Sequence, residues 1–254
     1  MKKLELIALE GIPLIEEGDN LVEIILTALE RNKISLSNGN VLVIAQKIVS
    51  KSEGRYASLN DIKPSQQAID LSRETDKDPK LVQLILNESK EVVRYRKGVI
   101  VVENILGLIH ANAGIDKSNI KSDSNNPRVL LLPLNPDKSA TEIRKELLKK
   151  TNKKVGIIIN DSSGRAWRNG IVGIAIGSSG AEVLSDLKGN LDLFGNTLEV
   201  TEVGKADEVA SAASLLMGQG KEALPVVVIK GLTESEDLNG AKALIRKPSE
   251  DLFR

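Results

Sequence analysis

The chain has 254 residues, 41% hydrophobic and 28% charged, with 35 basic residues against 35 acidic ones. That is globular composition for one or two intimately joined domains, and the balanced charge gives no field that favours nucleic acid or an anionic membrane. The absence of cysteine and the single histidine, His110, exclude disulfides, cysteine nucleophiles and multi-histidine zinc sites, so a bound metal must use mainly oxygen ligands, which suits Mg²⁺, Mn²⁺ or Ca²⁺.

Aromatic residues are only 2% of the chain, so Leu, Ile, Val and Ala must build the core. Met1-Lys2-Lys3-Leu4-Glu5 has no long apolar run behind it, and no stretch is long and apolar enough to cross a bilayer. The expectation is a soluble cytoplasmic protein.

In chain order, Leu4 to Leu9 reads as a strand ended by Gly11-Ile12-Pro13. Asp19-Asn20 offers an N-cap to a helix with Leu21, Ile24, Ile25, Ala28 and Leu29 at helical spacing. Val41 to Ala45 is a buried strand by its β-branched run. Pro64 suits the first turn of a helix covering Ala68, Ile69 and Leu71, and Asp78-Pro79 starts another with Leu81, Leu84 and Ile85 on one face. Val92 to Val102 reads as two strands around Lys97-Gly98, and Lys121 to Arg128 as a loop. Ser139 with Glu142 forms a capping box, opening a helix to about Thr151. Val155 to Ile159 is the strongest central strand. Ile171 to Ile176 is strand-like within a glycine-rich region. Thr197 to Val203 reads as a strand, Ala206 to Met217 as a helix ended at Gly218, and Leu224 to Ile229 as the last buried strand. The charged tail from Glu234 to Arg254 is expected to be peripheral. The mixture lacks regular one-to-one alternation, so the expected class is α/β (or α+β) with mixed sheets and flanking helices.

Four polar segments adjoin these elements. Lys47, Lys51 and Arg55 recur every four residues after the Val41 strand and could clamp phosphate oxygens; a solvated basic turn is the plainer alternative. Asn112 to Asn119 carries Asp116 and could hold a cation and a sugar or base edge, although such residues also make Asx turns. Asn160-Asp161-Ser162-Ser163-Gly164-Arg165 turns polar directly after an apolar strand. Asp161 and Ser162 form an oxygen pair suited to Mg²⁺, and Arg165 and Arg168 could bind a triphosphate or a carboxylate. Trp167 more readily reads as a packing residue than as a stacking one. Met217-Gly218-Gln219-Gly220-Lys221-Glu222 lets backbone approach a ligand or simply caps a helix. No P-loop, dinucleotide fingerprint or nucleophile elbow occurs, and His110 is a poor triad member, more readily structural.

In order along the chain, these pieces resemble the coenzyme F420-0:L-glutamate ligases, the gamma-glutamyl ligases of the deazaflavin coenzyme. The likeness runs from about Leu6 to Leu232. Its carriers are Glu10 to Leu14, Lys47 to Arg55, Asn112 to Asn119, Asp161 to Gly170, Ala206-Asp207-Glu208 and Leu216 to Gly220. It implies a ligase-like region over 1–232 with two interwoven subdomains, a charged C-terminal tail over 233–254, and a homodimer whose subunits share strands. It also implies a GTP-driven ligase that joins L-glutamate to the terminal carboxylate of F420-0 through an acyl phosphate, releasing GDP and phosphate, with further gamma-linked glutamates added by some members. Alternatives are another carboxylate or amino-acid acceptor on the same fold, or a nucleotide-binding homologue without turnover.

By position, the resemblance implies that Asp116 and Asp161 ligate one divalent cation, Mg²⁺ or Mn²⁺, and that Ser162 and Gln219 touch a second. Ser162 stands where Thr is usual, and Gln219 where Glu can occur. The GTP would be lined by Gly11, Ile12, Pro13, Leu14, Gln46, Lys47, Lys51 and Asn119, and by Met217, Gly218, Gln219, Gly220, Lys221, Glu222, Ala223 and Leu224. Asp116, Asp161, Lys51 and Arg165 are the candidate catalytic residues, and K⁺ is a candidate additional cation. Such chemistry needs positioning and charge neutralisation rather than a protein nucleophile, which a chain without cysteine can supply.

Overall fold

The computed structural model describes residues 2–252; Met1, Phe253 and Arg254 lie outside the described residues. In chain order the regular elements are β1 (Glu5–Ala8), α1 (Leu21–Arg31), β2 (Val41–Ala45), α2 (Gln46–Ser52), β3 (Tyr56–Ser58), α3 (Gln66–Thr75), α4 (Pro79–Asn87), β4 (Ser89–Arg96), β5 (Val99–Asn104) and β6 (Ile109–Ala111). They continue with β7 (Arg128–Leu130), α5 (Pro136–Thr151), β8 (Gly156–Arg165), β9 (Arg168–Ser179), β10 (Ser185–Asp186), β11 (Glu202–Val203), α6 (Lys205–Met217) and β12 (Val226–Lys230). The class is mixed α/β, as the irregular alternation of strand and helix signals predicts.

The main sheet has the order β1-β12-β2-β8-β9, in which only β2 and β8 pair in parallel. β2 and the stretch of β8 from Gly156 to Ile159 paired with it are apolar because helices cover both sheet faces there. Period-two alternation divides them. Leu42, Ile44, Ile157 and Ile159 join the layer beneath α1 and α5, whereas Val41, Val43 and Ile158 join Ala206, Ala210 and Ala213 of α6. The small side chains of α6 let it lie close to the sheet. A third apolar cluster unites α3 and α4 with Ile100 and Val102 of β5 and Val129 of β7. Each fully buried Val, Leu or Ile of these layers contributes roughly 1.5–3 kcal/mol.

Most of the predicted elements are present, and the differences have local causes. Pro64 lies before α3, whose N-cap is Ser65, with its hydroxyl accepting from the Ala68 amide. The capping box at Ser139 is not used: α5 begins at Pro136 with Asn135 as N-cap, and the Ser139 hydroxyl donates to Glu53 instead. The strand at Val155 does not stop at Ile159 but runs on through the polar motif to Arg165, because β9 pairs with it along its whole length. Of the strand expected over Thr197 to Val203 only β11 and a single bridge at Thr197 form, since no long strand lies beside it.

The tail after Glu234 is not merely peripheral. Glu236 pairs with Arg144 at 2.7 Å, the Asp237 carbonyl accepts from the Gly180 amide, and Ala241 is buried. Its anchor is Asp137, in the first turn of α5, whose Oδ1 accepts the amides of Ser178 and Ala241 at 2.8 and 2.7 Å. Asp137→Ala leaves both half-buried amides without that acceptor and is expected to cost about 1–3 kcal/mol, measured by urea unfolding; an unchanged midpoint contradicts the anchoring role.

Candidate active site

The sheet order dictates where loops meet. β2 and β8 run parallel, so their carboxyl ends, Ala45 and Asn160, lie side by side in register. β12 runs antiparallel to β2, so its amino end lies at that same edge, and the Ala45 amide donates to the Pro225 carbonyl. β1 ends there too, with the Leu9 amide bonded to Val226. One sheet edge therefore carries Gly11 to Leu14, α2, the Asp161 segment and the loop from Met217 to Leu224. A crevice outside the carboxyl ends of parallel strands is the usual ligand position in such sheets.

Alternation along β8 aims its polar residues. Asn160 continues the α6 face of Ile158, and its amide donates to Ser214 and to the Met217 sulfur. Asp161 continues the opposite face, that of Ile159, and its side chain is only 12% exposed. Ser162 points back to the α6 side, where its hydroxyl donates to Gln219 Oε1 at 2.9 Å. A β-bulge, in which Ile159 pairs with Gly177 and Asn160 with Ala175, falls at this transition, a common device for re-aiming side chains near a site.

Asp116 arrives from a different direction. Its backbone is pinned by reciprocal hydrogen bonds with Leu130. The preceding residues Asn112, Ala113 and Gly114 all have positive φ, which curls the loop tightly. Only glycine fits at 114, where a Cβ would stand 2.7 Å from Leu132 and 3.2 Å from the His110 ring. The Asp116 carboxylate accepts from Gln46 Nε2 at 2.7 Å and pairs with Lys47 at 3.3 Å. Gln46 also lies near enough to Asp161 to favour its charged form.

Helix α2 supplies the cations. Lys47 and Lys51 lie one turn apart, and their ammonium groups reach Ser118 and the Asn119 carbonyl. Burial first, and then the neighbouring Lys47 charge, holds Lys51 below the ordinary lysine value, with Asp116 opposing. Asn119 in turn donates to the Gly220 carbonyl at 3.1 Å. Thus Gln46, Lys47, Lys51, Asp116, Asn119, Asp161, Ser162, Gln219 and Gly220 form one connected cluster. Gly218 has φ +68 with no room for a Cβ beside Glu222, and Glu222 accepts from the Gly220 amide.

Other sequence candidates stand elsewhere. Arg55 is not a third clamp: α2 ends before Gly54, and Arg55 binds the Leu132 carbonyl and Glu88. Arg165 lies four residues beyond Asp161, about 13 Å along the strand, at the β8–β9 tip, where it donates to the Asn169 carbonyl. Trp167 does not pack; it caps that tip with φ 62 and is 89% exposed. Leu14 is 88% exposed on its loop.

Sequence reasoning set His110 aside as structural, yet its buried ring lies with Nε2 4.0 Å from Asp161 Oδ2. Nothing in the spacing marks it, because β6 reaches β8 only through tertiary packing. Burial drives the imidazole down to about 4. Burial, then the Asp116 charge, lifts Asp161 to about 7, against the Ser162 amide, Lys47 and Gln46. A desolvated carboxylate facing another gains from a ligand that favours its charged form. The surrounding donors are carboxylate, amide and hydroxyl oxygens, which are hard ligands of the kind Mg²⁺ and Mn²⁺ prefer. Among the described residues no group of three or more His, Asp or Glu forms a ready metal cage, so part of a cation's shell would come from water or substrate. A cavity of about 190 Å³ is lined by Leu106, Leu108, Asp137 and Ile245 but by neither carboxylate. The Asp116–Asp161 cluster is the stronger candidate, because it combines carboxylates with cations and open backbone, as a phosphate site requires.

The fold and cluster define an α/β protein with an oxygen-rich, lysine-flanked site at the carboxyl edge of its central parallel strands. Residues 11–231 match the family described as F420-0:Gamma-glutamyl ligase. A relative in Methanothermobacter thermautotrophicus, named coenzyme F420:L-glutamate ligase, is 43% identical over 253 residues, 99% of either chain. Relatives of the same name in Methanocaldococcus jannaschii and Archaeoglobus fulgidus are 45% and 39% identical, covering 100% and 99% of this chain and 98% and 97% of theirs. The chain belongs to the F420-0:gamma-glutamyl ligase family.

The opposed shifts of Asp161 and His110 give a signed pH prediction for metal-free protein. Between about pH 4 and 6.5 the folded pair holds one proton, on Asp161; the unfolded pair also holds one, on His110. The pair therefore adds no net slope there. Asp161→Asn isolates the histidine, so stability relative to wild type falls as pH drops from 6.5 towards 4, by about 1.4 kcal/mol per pH unit. His110→Gln isolates the aspartate, so relative stability falls as pH rises from about 4 to 7. Urea unfolding across this range checks both; parallel pH profiles for the variants and wild type contradict the assignment.

Proposed function

We propose that the protein is a GTP-dependent ligase that adds L-glutamate to the terminal carboxylate of coenzyme F420-0. The reading rests on family membership together with one observation: Asp161, buried beside Asp116, sits in a cluster that also holds Lys47, Lys51 and Asn119. Asp116 and Asp161 would hold one divalent cation, Mg²⁺ or Mn²⁺, and Ser162 with Gln219 would hold a second. When bound, these cations supply positive charge to the phosphates. K⁺ is a further candidate ion.

Lys47 and Lys51 would pair with phosphate oxygens, exchanging their present carbonyl and Asp116 partners for the nucleotide. Asn119 and the Gly218–Gly220 backbone would fix the nucleotide beside them, with Gly11 to Leu14 closing the same sheet edge. An F420-0 carboxylate oxygen attacks the γ-phosphorus, and the bond to GDP breaks. The glutamate amine then attacks the acyl carbon of the acyl phosphate, inorganic phosphate leaves, and the amine loses a proton as the amide forms. Repetition would extend a gamma-linked chain. The protein's own part is positioning and charge neutralisation.

Purified protein with F420-0, glutamate, GTP and Mn²⁺ is expected to release GDP in step with glutamate addition, read by mass spectrometry. Asp161→Asn should lower kcat by at least about 100-fold, the scale for losing one preorganised charge contact, while remaining folded. Absence of a glutamylated product under these conditions overturns the reading.

A homodimer belongs to the same proposal. Ile171, Leu191, Leu193, Phe194 and Val200 are each more than half exposed, as is Trp167, and would be the apolar groups a partner subunit covers. Trp167 is the sole tryptophan, so its emission reports burial of the hairpin tip directly. Dilution is expected to red-shift the emission as dimers separate; a sedimenting monomer with concentration-independent emission contradicts the dimer.

A further inference from the structure

The direction of hydrogen bonds around His110 is fixed by the chain itself. Asn104 Oδ1 accepts the amides of both Leu106 and Leu108 at 3.0 Å, across the turn joining β5 and β6. Two backbone N–H groups converge there, so that atom must be the oxygen. The Asn104 amide nitrogen therefore faces the His110 ring, 3.4 Å from Nδ1. An amide nitrogen only donates, so Nδ1 accepts. In a neutral imidazole the single proton then resides on Nε2. Nε2 is buried, has no partner among the described residues, and lies 4.0 Å from Asp161 Oδ2. A shift of about 1 Å brings this donor into hydrogen-bonding range of the carboxylate.

The loop that carries Asp116 also packs close to the ring. Gly114, two residues before Asp116, comes so near that a Cβ there would stand 3.2 Å from Nδ1. The other Asp161 oxygen accepts from the Ser162 amide at 2.8 Å. Oδ1 thus faces the Ser162 N–H and Oδ2 the His110 Nε2, with the Gln46 amide also near the carboxylate.

We propose that His110 is a positioning residue for Asp161, its Nε2–H orienting Oδ2 under the tautomeric control of Asn104. The role rests on the reading of Asp161 as a cation ligand. It couples the turn between β5 and β6, which carries no ligand itself, to the edge of the main sheet. Outer groups that hydrogen-bond ligating carboxylates set metal affinity, and their loss weakens it by about 10–100-fold.

Because His110 is the only histidine, ¹⁵N-histidine labelling yields one ring spectrum. The wild type at pH 7.5 is expected to show an Nε2–H tautomer whose Nε2 signal moves on Mg²⁺ addition. An Nδ1–H tautomer, or a ring signal unmoved by Mg²⁺ that saturates the protein's thermal shift, overturns the role. Mn²⁺ affinity measured by electron paramagnetic resonance is expected to fall 10–100-fold in His110→Leu and to recover largely in His110→Gln, which keeps a side-chain N–H. Unaltered affinity in His110→Leu overturns this role alone. Failure of the wild type to bind Mn²⁺ or Mg²⁺ overturns the cation reading itself, and this role with it. The ring spectrum needs no variant, so misfolding of His110→Leu leaves the role testable.

Discussion

Two carboxylates are brought to one place, and one of them, Asp161, is buried too deeply to ionise freely. Asp161 leaves the end of a buried strand on the apolar face of the sheet, and Asp116 arrives on a loop held by backbone bonds to Leu130. Lifting Asp161 from 3.8 to about 7 corresponds to roughly 4 kcal/mol against its charged form, from burial first and the Asp116 charge second. A fold of marginal stability carries such a penalty at few positions. The rest of the structure makes sense as the frame that enforces it.

That frame is the central pair of parallel strands. With β2 and β8 in register, α2 and the Asp161 segment must emerge side by side, and the antiparallel strand β12 brings Gln219 and Gly220 to the same edge. Gln46, at the start of α2, then donates to Asp116, and Lys47 and Lys51 flank the acids at helical spacing. The third apolar cluster, around β5 and β7, backs the segments that carry His110 on β6 and Asp116 beside β7. Under the proposed function, cation, nucleotide and acceptor are therefore assembled by groups from separate parts of the chain.

Much of this was legible in the sequence because its causes are local. The apolar run Val41 to Ala45, the Asn20 and Asp78 caps and the helix before Gly218 appear where propensity puts them. Asp161 stood out by its place after an apolar strand, whereas Asp116, Lys47 and Lys51 became site candidates only through the family resemblance, since spacing alone favoured an Asx turn and a solvated basic turn. The structure puts all four close together. What escaped depends on pairing across long separations. A four-residue spacing includes Arg55, but the end of α2 turns it towards Glu88. The polar run after Ile159 looks like a loop until β9 is placed beside it. His110 is indistinguishable from a packing residue until β6 is seen against β8, and the anchoring of the tail by Asp137 has no signature in the tail itself.

The account stands on the claim that the Asp116–Asp161 pair is built for a divalent cation. Anomalous diffraction from a crystal equilibrated with Mn²⁺ tests it most directly. The account predicts an anomalous peak in coordination contact with both carboxylates, lost in an Asp161→Asn crystal. Manganese bound elsewhere, with no density between the two acids at concentrations that support turnover, contradicts it.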